Sequence, residues 1–126
     1  MRINRFLVAA TAISFSIPSA SHADRLNGER IFSSRCAMCH GNDIKGTGPL
    51  ANKSNPPTLD LTTPEFKKRL RDYPGVIISS IILRSNGDLI PRTLRENKVK
   101  VPPFVWTIND FRDLNEYMIG VIYKTK

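Results

Sequence analysis

The sequence predicts a single small all-α domain, and three observations support this fold class. The chain has 126 residues, which is enough for one domain. Residues 108–123 place apolar side chains on one face at helical spacing, and residues 24–37 carry a stripe repeated every four residues. No alternation of strand and helix patterns, which would predict a parallel sheet, occurs along the chain. We therefore expect the first and last helices to pack against each other.

The N-terminus has the pattern of a secretory signal peptide, predicted over residues 1–23. Two arginines precede an apolar run over residues 6–17, and small residues follow up to Ala23. The run has about 12 residues, whereas a helix that spans a bilayer needs roughly 20, so an uncleaved anchor is the weaker interpretation. Cleavage after Ala23 would leave an exported, periplasmic domain of residues 24–126 with no transmembrane span.

The first predicted helix leads into the strongest chemical signal in the chain. Gly28, Phe32 and Cys36 form its stripe, and Cys39 and His40 complete the pattern C-x-x-C-H. This is the attachment pattern of a c-type haem, since two thiols on one helical turn can each form a thioether with a vinyl group of the porphyrin. The adjacent imidazole can then bind the iron as its proximal axial ligand. The sequence therefore predicts one covalent haem c.

Three other uses of two cysteines at this spacing are disfavoured. A thioredoxin-like dithiol requires strands alternating with helices around it. A zinc site requires four ligands as a rule, whereas Cys36, Cys39 and His40 supply three and no second cluster exists. A simple disulfide would give the following histidine no role.

The central part of the chain combines loops with two further predicted helices. Residues 41–50 form a glycine-rich loop, in which the carbonyl of Pro49 could accept a hydrogen bond from the outer nitrogen of His40. Residues 55–62 are extended by prolines. Thr63 and Pro64 have the types expected at a helix N-terminus.

The segment 76–85 can be interpreted in two ways. Its many β-branched residues favour a strand. The spacing of its isoleucines fits a helical stripe equally well, and the preceding Pro74 and following Asn86-Gly87 favour a helix. Residues 88–100 are predicted to be irregular and basic.

An apolar, proline-stiffened loop over residues 101–106 precedes the last helix. Val101, Phe104 and Trp106 are predicted to lie against a face of the haem, although the tryptophan could equally be ordinary core. The last helix, residues 108–123, begins with Thr107 and Asp110 in the manner of a capping box.

The charge of the chain favours an acidic partner. Residues 1–23 contain two of the 19 basic residues and none of the 11 acidic ones, so the rest of the chain has a formal net charge of +6. Such a surface suits docking onto an acidic protein or an anionic surface. Nucleic acid is disfavoured by the predicted export. The densest basic run, residues 67–71, is either a solvated helix face or a docking patch.

Together these motifs resemble those of a bacterial class I c-type cytochrome, a small all-α domain with one haem. The resemblance covers nearly all of residues 24–126. It rests on Gly28-x3-Phe32-x3-Cys36-Ala37-Met38-Cys39-His40-Gly41, Gly46-Thr47-Gly48-Pro49-Leu50, Asn55-Pro56-Pro57-x-Leu59-x-Leu61-Thr62 and Pro102-Pro103-Phe104. The resemblance implies that the first and last helices cross, with Gly28 against Tyr117.

One departure from the family leaves the sixth iron ligand open. The family usually places a ligating methionine directly before the proline-containing loop, and Val101 stands there. Met118 lies on the packed face of the last helix and is not expected to bind iron. The remaining possibilities are an open site lined by the 101–106 loop, a neutral amine from Lys98 or Lys100, or a ligand from elsewhere in the chain or from a partner.

The resemblance implies an electron-transfer protein rather than an enzyme. It would pass single electrons between periplasmic redox partners, namely acidic redox proteins or a membrane-bound oxidase or dehydrogenase complex. It would act as a monomer or as a subunit of a redox complex. The alternative is a haem protein whose open distal site binds or senses CO, NO or peroxide. The absence of a distal histidine from residues 24–126 counts against a peroxidase.

Overall fold

The computed structural model describes residues 22–85, 92–101 and 104–126, and within these ranges it contains helices and loops without strands. It confirms the predicted all-α fold. Among the described residues, no helix combines the length and apolarity that crossing a bilayer requires. The predictions for residues 1–21, 86–91 and 102–103 lie outside the described residues. The α-helices are α1 (Arg25–Arg35), α2 (Ala37–His40), α3 (Pro64–Asp72), α4 (Val76–Ser85), α5 (Arg92–Glu96) and α6 (Ile108–Lys124).

Helices α1 and α6 cross at Gly28. A Cβ atom at this position would lie 2.2 Å from the carbonyl oxygen of Asp113 and 2.7 Å from Cβ of Tyr117. Only glycine allows the two backbones to approach so closely. The predicted contact between Gly28 and the aromatic residue of the last helix is therefore present. The ring of Tyr117 also packs against Phe32, with 5.9 Å between the ring centroids.

The core is built on that crossing. Ile31 and Phe32 of α1 are buried against Leu114, Met118 and Ile122 of α6. The three α6 residues are four positions apart, which places them on one face of the helix. Their burial fixes both helices around the same apolar interior.

Local signals set the ends of the long helices. The carboxylate of Asp24 accepts hydrogen bonds from the amides of Leu26 and Asn27 in α1, and the hydroxyl of Thr63 accepts one from the amide of Phe66 in α3. The capping box predicted at the start of α6 is present, because Thr107 and Asp110 each accept a hydrogen bond from the backbone amide of the other.

The ambiguous segment 76–85 is a helix, as its stripe and its preceding proline favoured. Val76 is fully buried, and Ile77 and Ile81 pack partly buried against the core. The segment is helical although its individual residues favour a strand, because the helix lets this stripe pack against the core.

The prediction that residues 88–100 are irregular is wrong for Arg92–Glu96, which form α5. Leu94 of this short helix is buried. One apolar side chain in five residues gives no detectable period, whereas its burial against the rest of the fold supplies the stabilising contact.

Candidate cofactor site

The C-x-x-C-H motif forms one helical turn at the end of α1. Cys36 is the C-cap of α1 and directly precedes α2. Its carbonyl accepts hydrogen bonds from the amides of Cys39, at 3.2 Å, and His40, at 2.9 Å. Cys36 and Cys39 are not joined in a disulfide. The turn thus holds two thiols and one imidazole on a short, rigid piece of backbone.

The glycine-rich loop folds back onto this turn. Its amides donate to three successive carbonyls of the motif: Leu50 to Met38, Gly48 to Cys39 and Gly46 to His40, at 2.9, 3.2 and 2.9 Å. A Cβ atom at Gly48 would lie 2.4 Å from the carbonyl oxygen of Met38. Glycine is required here because the two backbones are in contact, and the loop in turn fixes the orientation of the motif.

A cavity of about 380 Å³ opens beside the motif and lies within the range of small-molecule and cofactor sites. Cys36, Cys39 and His40 all line it. Its remaining described walls come from every other α-helix and from the extended segment: Phe32, Ser54, Pro56, Pro57, Thr58, Leu59, Leu61, Phe66, Arg69, Val76, Ile77, Ser80, Ile81, Leu94, Leu114 and Met118. Most of these side chains are apolar.

Burial determines the electrostatics of the Cys36 thiol. It raises the pKa of the Cys36 thiol to about 11, and the nearby Arg35 guanidinium only partly opposes the effect. The thiol is therefore protonated at neutral pH in the haem-free chain. Nδ1 of His40 is also a buried atom.

The structure brings together only some of the residues that the sequence assigned to the site. Pro49, Val101, Phe104 and Trp106 are absent from the described residues that line the cavity. Val101 is 45% exposed. Lys98 and Lys100 are exposed and do not line the described cavity either. Contact of these residues with the haem, and the hydrogen bond from His40 to Pro49, stay predictions.

The loop at residues 104–106 packs against the end of α1 instead. Trp106 stacks on Phe111, with 5.1 Å between ring centroids and 8° between the planes. The Arg35 guanidinium lies 4.6 Å from the Trp106 ring and 5.0 Å from the Phe104 ring, and it donates to the carbonyl of Val105. These are cation–π contacts, which the sequence alone did not indicate.

Sequence reasoning also missed the contribution of α3 to the cavity. Phe66 and Arg69 lie three residues apart on that helix, and both line the cavity. Their spacing places them on one helical face, a signal that the sequence did contain. The basic run over residues 67–71 obscures this face, because Arg69 is one of its four cations.

The donor set and the cavity fit a haem c. Two thiols on one turn match the two thioether bonds, and the adjacent imidazole matches the proximal ligand. The largely apolar walls suit a macrocycle that is itself mostly apolar. These residues would hold the group without any further protein ligand on the proximal side.

Comparison with known proteins agrees with the geometry of the site. The family model described as Cytochrome c matches residues 26–120, which include the motif, the cavity walls and most of α6. Neither the curated proteins nor the solved structures gave a match. Because the family model covers most of the chain and the motif turn opens onto the cavity, the chain belongs to the cytochrome c family.

Proposed function

We propose that the protein is an exported monohaem cytochrome that carries single electrons between periplasmic redox partners. The family binds covalent haem c, and it is generally an electron-transfer family rather than an enzymatic one. In this chain Cys36 and Cys39 form the thioether bonds, and His40 is the proximal iron ligand. The observation that carries the proposal is that all three side chains line the same cavity.

Each part of the site has a role in this function. The bound haem supplies a one-electron change at its iron. Cys36 and Cys39 would keep the group attached through two thioether bonds. The glycine-rich loop fixes the motif backbone, and the apolar walls keep water from the buried face of the site. A rigid, dry site requires little rearrangement when the charge changes, which suits repeated electron transfer.

The predicted partners are acidic. The net charge of +6 on residues 24–126 would steer the protein toward a negatively charged surface, and this attraction weakens as salt screens it. The partner would be a soluble acidic redox protein or a membrane-bound oxidase or dehydrogenase complex. We expect the rate of electron transfer to such a partner to fall as ionic strength rises.

Export is tested on the purified protein. Cleavage after Ala23 predicts a periplasmic form whose first residue is Asp24, which N-terminal sequencing and intact mass would detect. A haem-containing form that retains residues 1–23 would contradict the predicted cleavage and favour an uncleaved anchor.

A second candidate function is favoured by the exposure of Val101. A valine has no lone pair for iron, and Val101 is 45% exposed and absent from the described cavity lining. The iron would then have an open distal position that binds a small molecule such as CO, NO or peroxide. The amines of Lys98 and Lys100 are the alternatives for a sixth ligand, and each would require a pKa lowered by desolvation on moving to the iron.

The visible absorption spectrum of the haem-loaded protein distinguishes these functions. We expect an electron carrier to give a low-spin spectrum with sharp reduced bands and no response to CO. Lys98→Ala and Lys100→Ala would then show which amine, if either, completes the site. A high-spin spectrum that changes promptly with CO would favour the open distal site. Wild-type protein without covalent haem would contradict both functions.

A further inference from the structure

The described lining of the cavity includes a single permanently charged side chain. Among the described residues that line it, Arg69 alone carries a permanent charge, and the others are apolar, hydroxyl-bearing or part of C-x-x-C-H. Two of those hydroxyls already donate to backbone carbonyls, Ser54 to Pro56 and Ser80 to Val76. Arg69 is thus a strong hydrogen-bond donor at the edge of a largely apolar space.

Two neighbours of Arg69 in the basic run, Lys67 and Lys68, form polar contacts with residues that do not line the described cavity. Lys67 donates to the carbonyl of Thr125 after the end of α6, and Lys68 forms an ion pair with Asp72. The guanidinium of Arg69 has no hydrogen bond or ion pair among the described residues. Phe66, one turn earlier on the same helix, also lines the cavity. The exposed head group of Arg69 is therefore available to an anion bound in the cavity.

A haem c supplies such an anion. Its macrocycle is apolar, its two vinyl groups are used by the cysteines, and its only ionised groups are two propionate carboxylates. A guanidinium binds a carboxylate through two parallel N–H groups, which fixes orientation as well as charge. We propose that Arg69 is the counter-ion of a haem propionate and positions that edge of the haem at α3. This inference depends on the proposed haem attachment through Cys36 and Cys39.

The pairing would change the reduction potential of the haem iron. An ionised propionate favours the oxidised, more positive iron and so lowers the reduction potential. The Arg69 cation offsets that charge and keeps the propionate ionised at lower pH. Removing the cation should therefore lower the reduction potential at neutral pH. It should also raise the propionate pKa, so that the pH-dependent change in reduction potential occurs at higher pH than in the wild type.

Reduction potential measured from pH 4 to pH 8 on the haem-loaded protein tests the proposal. For Arg69→Gln we expect a lower reduction potential at pH 7 and a propionate pKa raised by about one pH unit. This change is at the small end of the range for a carboxylate beside an arginine, because Arg69 is exposed. Arg71→Gln is the matched control, since it removes the same charge from an exposed position of the same helix outside the described cavity lining. Arg69→Lys should restore most of the wild-type pH profile.

The outcomes separate this proposal from the proposed function. If haem is covalently attached and Arg69→Gln follows the profile of Arg71→Gln, the Arg69–propionate pairing is wrong and the cytochrome function stands. If the wild-type protein carries no covalent haem, the proposed function fails and this pairing fails with it. A distinct profile for Arg69→Gln, restored by lysine, supports the pairing.

Discussion

The α1–α6 crossing and the loop at residues 104–106 both pack against α1, but through contacts of different strength. At the crossing, Gly28 brings two backbones together, and Leu114 and Ile122 are almost completely buried. The loop is held by the Arg35 guanidinium and by aromatic contacts near the surface, and its Val105 is 85% exposed. The first region is core, whereas the second is a loop near the surface that touches the core through the partly buried Trp106.

This difference has a consequence for the cofactor site. Core contacts support one another, so that the crossing holds Phe32 and Met118 as walls of the cavity beside the attachment motif. An exposed cation–π contact stabilises by only about 0.5–1 kcal/mol. The cavity wall formed by the helix crossing is therefore firmly positioned, whereas the loop at residues 104–106 is held more weakly.

The largest expected effect comes from breaking the crossing with Gly28→Ala. Alanine normally favours a helix by roughly 0.5–1 kcal/mol over glycine. Here its Cβ atom would lie 2.2 Å from a backbone oxygen of α6, so the helices must move apart. We expect the clash to dominate and to lower the free energy of unfolding by about 1–3 kcal/mol, measured by denaturant titration of the haem-loaded protein.

Gly75→Ala is the matched control for that substitution. Its Cβ atom would meet only the Tyr73 ring, at 3.4 Å or more, which is ordinary van der Waals contact. We expect a change within about 0.5 kcal/mol. Equal losses in the two variants would mean that the close approach at Gly28 does not determine the packing of α1 on α6.

An intermediate, pH-dependent effect is expected at Asp113, which is buried in the same crossing. Its carboxylate accepts hydrogen bonds from the Asn27 side chain at 2.8 Å and from the Asp24 amide at 2.9 Å. These hydrogen bonds, with a smaller effect from Arg112, hold the pKa of Asp113 below its usual value. Because the folded pKa is the lower one, the stabilisation is complete above the unfolded value of about 4 and is lost as the pH falls through the folded pKa.

Asp113→Asn should therefore be less stable than the wild type at pH 7, with a difference that narrows below about pH 4. Thermal unfolding of the haem-loaded protein at pH 7, 5 and 3 measures this change. Glu116→Gln, on the exposed face of the same helix, controls for the loss of one negative charge. A difference between wild type and Asp113→Asn that stays constant across this range would contradict the role of the charged carboxylate.

The smallest effect is expected at the loop. Arg35→Gln removes the cation from Phe104 and Trp106, which should cost about 0.5–1 kcal/mol locally and leave the core unchanged. Hydrogen exchange of the Trp106 indole N–H should become roughly 2- to 5-fold faster, while the amides of α6 next to Gly28 keep their protection.

Arg25→Gln provides the comparison for Arg35→Gln, since it removes the α1 cation that lies 5.8 Å from the Tyr117 ring. It should leave the exchange of Trp106 unchanged. If Arg35→Gln instead destabilised α6 as much as Gly28→Ala does, the loop would be part of the core and the contrast between the two regions would be wrong.

Prediction from sequence succeeded where the local structure depends on contacts between residues close together in the chain. The caps at Thr63 and Thr107 and the single turn of Cys36 to His40 follow from hydrogen bonds over three or four residues. Prediction was less successful where contacts with an element distant in the sequence determine the conformation or the hydrogen bonds of a residue. The single buried leucine of α5 has no local period, and the network that holds Asp113 joins residues 86 and 89 positions apart.

By itself, the sequence determined the C-x-x-C-H turn and the helical fold, because cysteine spacing, helix caps and amphipathic periods are local properties of the chain. The tertiary structure decided which side chains meet the cofactor cavity. It placed Arg69 and Phe66 of α3 in the cavity lining, and it packed Trp106 on Phe111 instead. The physical reason is that a cavity is formed by side chains from several helices, and their meeting depends on how the helices cross.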